Sequence, residues 1–106
     1  MSASTNMFFR IWQIRPNPQK ISEFVDVYGP NGEWARLFRL ANGFVETELV
    51  QSTSDPSVYL TIDRWTDQES WEAFRVAYAV DYTALDKKCE SLTTDEREID
   101  NFSTTG

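Results

Sequence analysis

Asp63 is the residue from which chemistry is most readily built in this chain. It sits in YLTIDRW (Tyr59 to Trp65), flanked by hydrophobic residues. Strand alternation puts it on one phase with Tyr59, Thr61 and Trp65, while Leu60 and Ile62 fall on the other. Burial raises the pKa of a carboxylate and makes it a more competent base near neutral pH. Asp63 is therefore the candidate proton acceptor; the bland alternative is an interface salt bridge or hydrogen bond, for instance to an arginine. Glu46 and Glu48, on one phase of FVETELVQ, are weaker candidates of the same kind. Walls for a flat ring could come from Trp34, Phe38, Tyr59, Trp65 and Trp71, residue types that more often serve as core or dimer-interface aromatics. An anion formed by proton removal could be stabilised by Arg10, Arg36, Arg39 or Arg64, with Asn31 and Asn42 as neutral donors. Arg36 and Arg39 have the ordinary alternative of solvated helix-face residues.

Much other chemistry is set aside by composition. The chain has no histidine, which removes the commonest metal ligand, the usual haem ligand and the usual general base. Ten Lys and Arg against seventeen Asp and Glu give a formal charge of -7, which repels phosphate backbones and argues against nucleic acid as a partner. The Gly29 to Gly32 stretch, GPNG, interrupts a helix and lacks the spacing of a phosphate-binding loop, so no nucleotide cofactor is expected. The DEREID stretch near the end lacks calcium-loop spacing and reads as a solvated edge. No metal, haem or flavin is called for. Cys89 is the single cysteine; it cannot form an intrachain disulfide, fits a reducing cytoplasm, and reads as a small buried group on the second helix. The opening MSASTN lacks the basic and apolar regions of a signal peptide, and no apolar run approaches the roughly 18 residues of a membrane span. The expectation is a cytoplasmic protein with no membrane partner.

The elements that must position these residues are legible from periodicity. Length and composition, 106 residues and 41% hydrophobic, allow one domain with one core. MFFRIWQIR (Met7 to Arg15) alternates with bulky groups on both phases and reads as a strand ended by Pro16. Asn17-Pro18 reads as a helix start, and Ile21, Phe24, Val25 and Tyr28 carry a helix up to GPNG. Trp34, Leu37, Phe38 and Ala41 continue the stripe to a left-handed stop at Asn42-Gly43. Phe44 to Gln51 and the YLTIDRW segment read as a hairpin across the turn STSDPS. Thr66 with Glu69 resembles a capping box, after which Trp71, Phe74, Tyr78, Tyr82, Leu85, Cys89 and Leu92 mark one apolar face along one helix or two nearly collinear ones. Glu96 to Phe102 reads as a last strand.

Strand, helix, strand, strand, helix, strand is the split arrangement of a ferredoxin-like α+β fold, an antiparallel sheet with its helices on one face. The expected domain spans residues 7–102, between a disordered tail at 1–6 and a flexible tail at 103–106. Helices cover only one sheet face. The mixed phase of YLTIDRW is expected on the other, where a second subunit laid sheet to sheet would cover it and could enclose a ligand cavity.

Two segments, GEWARLFRLANGFVETEL and YLTIDRWTDQESWEAF, resemble the antibiotic biosynthesis monooxygenase group of the dimeric α+β barrel superfamily over about Met7 to Phe102. The most recognisable pieces are Gly43-Phe44, Trp65, and the run from Thr66 to Phe74. The resemblance implies a homodimer and a cavity for a small aromatic molecule. Superfamily members include cofactor-independent oxygenases, haem-degrading proteins and isomerases, and the missing histidine disfavours the haem route. Relatives with oxygenase activity place an asparagine, a tryptophan and an arginine near the substrate, which by position implies Asn31, Trp34 and Arg36 beside Asp63. Two readings stay open: a cofactor-independent monooxygenase of a phenolic or quinol-like compound, and a non-catalytic ligand-binding or dimeric structural module of the same fold.

Overall fold

The computed structural model describes residues 6–105. Four strands, β1 (Phe8–Pro16), β2 (Phe44–Gln51), β3 (Tyr59–Trp65) and β4 (Thr93–Ser103), form one antiparallel sheet in the order β2-β3-β1-β4. Four α-helices, α1 (Ile21–Tyr28), α2 (Glu33–Phe38), α3 (Gln68–Ala77) and α4 (Ala79–Lys88), and a 3₁₀ turn at Glu90–Leu92 complete the chain. This is the ferredoxin-like α+β arrangement. No helix among the described residues is long and apolar enough to cross a membrane.

Local chemistry explains where the elements start and stop. Asn17 does not cap a helix. Its Oδ1 accepts from Gln19 N–H and its own N–H and side-chain amide bond Leu92 and Ser91 carbonyls, so residues 18–19 form a turn and α1 begins only at Ile21. The cap of α3 is Asp67, not Thr66: its carboxylate accepts from Ser70 N–H at 2.7 Å, which satisfies a donor the helix start leaves open and holds the Asp67 pKa below the usual range. Gly43 ends the α2 segment with φ of 93°. A Cβ there would also fall 2.4 Å from Ser70 Oγ, so only glycine lets the chain turn into β2 beneath α3. The long apolar stripe splits at Tyr78 into α3 and α4.

β4 is longer than its polar sequence suggests, because an edge strand needs backbone pairing more than apolar side chains. It pairs with β1 from Thr93 to Ser103, and Thr104 N–H reaches Met7 O while Met7 N–H reaches Thr104 Oγ1. The expected boundary at Phe102 thus moves outward; residues 1–5 and 106 of the expected tails lie outside the described residues.

The structure reverses the expected facing of β3. Tyr59, Thr61, Asp63 and Trp65 are buried beneath the helices of the same chain. Phe24 of α1 meets Tyr59, Phe38 of α2 meets Trp65, and Trp71 and Phe74 of α3 meet Trp65. The reason lies in the helix stripe, which is almost wholly aromatic; edge-to-face ring packing selects the strand phase with rings of its own. Leu60 and Ile62, with Phe9 and Ile11 of β1 and the exposed Val50 and Phe102, are left on the uncovered face. Arg64 lies there too, paired with Glu46 at 2.7 Å and with Glu48, and stacked on Phe9.

Candidate functional site

The opposed sheet and helices leave a cavity of about 60 Å³, room for a few waters. It lies within the chain, between the sheet and its own helices, and not on the uncovered sheet face where a cavity was expected. β3 supplies Asp63 and Thr61, β2 supplies Thr47, and β1 supplies Arg10, Trp12 and Ile14. These point inward because antiparallel register sets Asp63 opposite Arg10 on one side and Thr47 on the other. Tyr28, Trp34, Phe38 and Tyr82 roof the space from the helices. Asp86 and Glu96 are its exposed lining residues and mark its mouth.

Asp63 is 5% exposed. Burial is the main cause that raises its pKa, to about 6, opposed by the hydrogen bond that Thr47 Oγ1 donates to Oδ1 at 2.8 Å and by the charge of Arg10. A carboxylate so placed is ionised at neutral pH yet more basic than one in water. Thr47→Val removes the donor and keeps the shape; the Asp63 carboxyl should then titrate higher by on the order of one unit, read by carboxyl-carbon NMR. An unchanged titration would show that burial alone sets its value.

Arg10 is 7% exposed and does not neutralise Asp63 directly. Its Nη2 donates to Glu98 Oε2 at 3.3 Å, and its guanidinium lies 3.7 Å from the Trp71 ring centre. Arg10 Nε is buried without a hydrogen-bond partner. Trp34 Nε1 likewise makes no hydrogen bond of acceptable geometry, although it lies near enough to the Tyr28 hydroxyl and Cys89 thiol to favour their ionised forms slightly. Buried donors without acceptors cost about 1–3 kcal/mol each, so the cavity holds two donors that an incoming acceptor oxygen would satisfy. At the mouth, Tyr28 Oη donates to Glu96 Oε1 at 3.1 Å. Burial, then the Glu96 charge, pushes the Tyr28 hydroxyl up, and burial raises Glu96 and Tyr82 as well.

Of the residues singled out from sequence, Asp63, Trp34, Phe38 and Arg10 meet in the cavity. Tyr59, Trp65 and Trp71 are core residues outside its lining. Asn31 and Arg36 lie on the outer surface, where Arg36 Nη1 donates to Asn31 O at 2.8 Å, and Arg39 binds the Pro30 carbonyl. The GPNG turn faces them away from the sheet. Glu46 and Glu48 are held by Arg64 on the uncovered face. Thr47, Tyr28 and Tyr82 escaped sequence reading because their types are ordinary in such elements. Arg10 carried a signal, a charge on the strand phase of Phe8, Trp12 and Ile14, but pairing across strands was needed to place it beside Asp63.

No curated protein matches the chain. Among solved structures, PA3566 from Pseudomonas aeruginosa is similar over 100% of both chains, with 17% identity and a TM-score of 0.65. SO0527 from Shewanella oneidensis covers 97% of this chain and 95% of its own, with 11% identity and a TM-score of 0.66. SnoaB, a cofactor-independent oxygenase from Streptomyces nogalater, covers 98% and 94%, with 20% identity and a TM-score of 0.56. At such identities these likenesses establish the fold alone. The family model for antibiotic biosynthesis monooxygenase matches residues 7–79. Since that stretch is well over half of the sequence and holds both hairpin strands and the cavity's roof from Tyr28 to Phe38, the chain belongs to the antibiotic biosynthesis monooxygenase family.

Proposed function

We propose that the cavity binds a phenolic or quinol-like ring and that the protein is a cofactor-independent monooxygenase. The observation that carries the reading is the juxtaposition, in one cavity, of a buried ionisable carboxylate with two buried donors that lack acceptors. Asp63 takes the proton of the ring hydroxyl, Arg10 Nε, on the residue paired with Asp63, binds the resulting oxyanion, and Trp34 Nε1, beside Tyr28, is left for a polar group elsewhere on the ligand. Moving a proton from a phenol of pKa about 10 to a carboxyl of about 6 is uphill by roughly 5 kcal/mol. Arg10 narrows that gap by binding the anion better than the neutral ring. The electron-rich anion then reduces dioxygen: one oxygen atom stays on the ring as a carbonyl, the other leaves as water, and the ring supplies the electrons. Phenols with an open para position, 1-naphthol for example, should consume one dioxygen per quinone formed. With ¹⁸O₂, one labelled atom should appear in the quinone. Oxygen uptake no faster than without protein would overturn this reading.

A second reading, a non-catalytic ligand-binding or structural module, is favoured by the small size of the cavity. Bound phenol with no oxygen uptake would select it.

We infer further that two copies pair through their uncovered sheet faces. Support comes from Phe9, Ile11, Leu60 and Ile62, which form an apolar strip flanked by Arg64, Glu46 and Glu48 and are left without helix cover. Ile62→Asp puts a charge in the middle of that strip without touching the helix side. Light scattering should show a dimer for the parent and a monomer for the variant; a parent monomer would refute the pairing.

A further inference from the structure

Strand register orders the floor of the cavity into rows. One row across the sheet is Thr47, Asp63 and Arg10; the next, two residues back along β3, is Leu49, Thr61 and Trp12. In the first row every side chain has a partner, since Thr47 Oγ1 donates to Asp63 Oδ1 and Arg10 Nη2 donates to Glu98. Thr61 differs. It lines the cavity and is 7% exposed, yet its hydroxyl makes no hydrogen bond to any described residue. Its neighbours cannot supply an acceptor, because Leu49 is apolar and the Trp12 indole carries only a donor. Valine would fill the same volume and suits a strand as well, so neither packing nor strand formation calls for a hydroxyl here, and a buried one left unpaired is a cost. Asp63 also has capacity to spare. Thr47 is its one hydrogen-bond partner among the described residues, which leaves Oδ2 free. Asp63 and Thr61 project to the same side of the sheet, roughly 7 Å apart along β3.

We propose that Thr61 is a specificity-determining residue that binds a second ring oxygen, and that the ligand is an aromatic ring hydroxylated at two positions, 1,3 or 1,4 to each other. The proposal rests on the reading of the cavity as a phenol site. One hydroxyl donates to Asp63 Oδ2, and the other meets the Thr61 hydroxyl, which can donate or accept. Oxygens at meta or para positions diverge and suit two partners separated by one strand repeat. A ring with a methyl group in place of the second hydroxyl leaves Thr61 buried and unpaired, which is how a polar site rejects an analogue of the same shape.

Resorcinol and 3-methylphenol have nearly the same shape and differ in whether a hydroxyl or a methyl reaches Thr61. NMR titrations of the full chain under nitrogen, followed by the Ile14 methyl resonances, give the ratio of their dissociation constants. The parent should bind resorcinol more tightly. Thr61→Val should shift the ratio toward 3-methylphenol by about fivefold or more, the worth of one buried hydrogen bond, and Thr61→Ser, which keeps the hydroxyl, should hold the parental preference. Should valine disturb the strand, Thr61→Ala removes the same hydroxyl and should shift the ratio the same way. A parent that prefers 3-methylphenol, or a ratio unchanged in the variants without the hydroxyl, would overturn the role of Thr61 and leave the phenol site standing. Binding of neither probe would overturn both. The expected shift without oxygen uptake would uphold Thr61 and refute the oxygenase.

Discussion

Asp63→Asn is expected to lower turnover of a phenolic substrate by about a hundredfold or more, the usual contribution of a positioned base, and at the same time to stabilise the protein near neutral pH. The two effects have one cause. Folding raises the Asp63 pKa to about 6 from an unfolded value of about 3.9, so the folded state favours the protonated carboxyl. The stability that Asp63 contributes in that form is fully present below about pH 4 and lost as pH rises through about 6. Two units correspond to about 3 kcal/mol, withheld at pH 7.5 to keep a base ionised in a buried site. An asparagine has no such charge to bury and can still meet Thr47. Urea unfolding at pH 7.5 should therefore show the variant more stable by up to about 3 kcal/mol, and the difference should vanish by pH 4. Comparing variant with parent cancels Glu96, whose pKa is also raised. Unchanged turnover would remove Asp63 from the mechanism, and a parent more stable than the variant at pH 7.5 would contradict the burial argument.

Trp65→Ala should have the largest effect on stability. Trp65 is fully buried, and its ring contacts those of Phe38, Phe44, Trp71 and Phe74. Truncation removes the indole and leaves a void that α2, β2 and α3, which supply these rings, cannot collapse together to fill. A loss of about 3–5 kcal/mol is expected, a large share of the 5–15 kcal/mol typical of a domain. Its Nε1 is buried without a partner, which offsets a little of that loss and makes Trp65→Phe the milder change. Denaturant midpoints for the three proteins should fall in the order parent or Phe, then Ala; an alanine variant within 1 kcal/mol of the parent would show that the aromatic cluster does not depend on this residue.

The oxygenase test and the stability tests are independent. The pH dependence of Asp63→Asn follows from burial and the Thr47 hydrogen bond, whatever ligand enters. A variant that behaves as expected in urea but is unchanged in turnover would identify a buried acid without a catalytic task.

The sequence by itself determined the element order and the sheet, because helical and strand periodicities, Gly43 and the turn at 52–57 are local signals that need no partner to be read. It also identified Asp63 and Trp34, since a carboxylate among apolar neighbours and a tryptophan on a helix stripe are unusual types in their settings. Which face of β3 the helices would cover was not legible: both phases carry large groups, and period-two alternation separates them without saying which is inside. Only the tertiary packing decided it, through the preference of aromatic helix residues for the ring-bearing phase. That choice then put the cavity between the sheet and the chain's own helices. It also set Arg10 and Thr47 beside Asp63 across strand pairs 53 and 16 residues apart in sequence, and left Asn31 and Arg36 outside, because the direction of a turn depends on the elements that it joins.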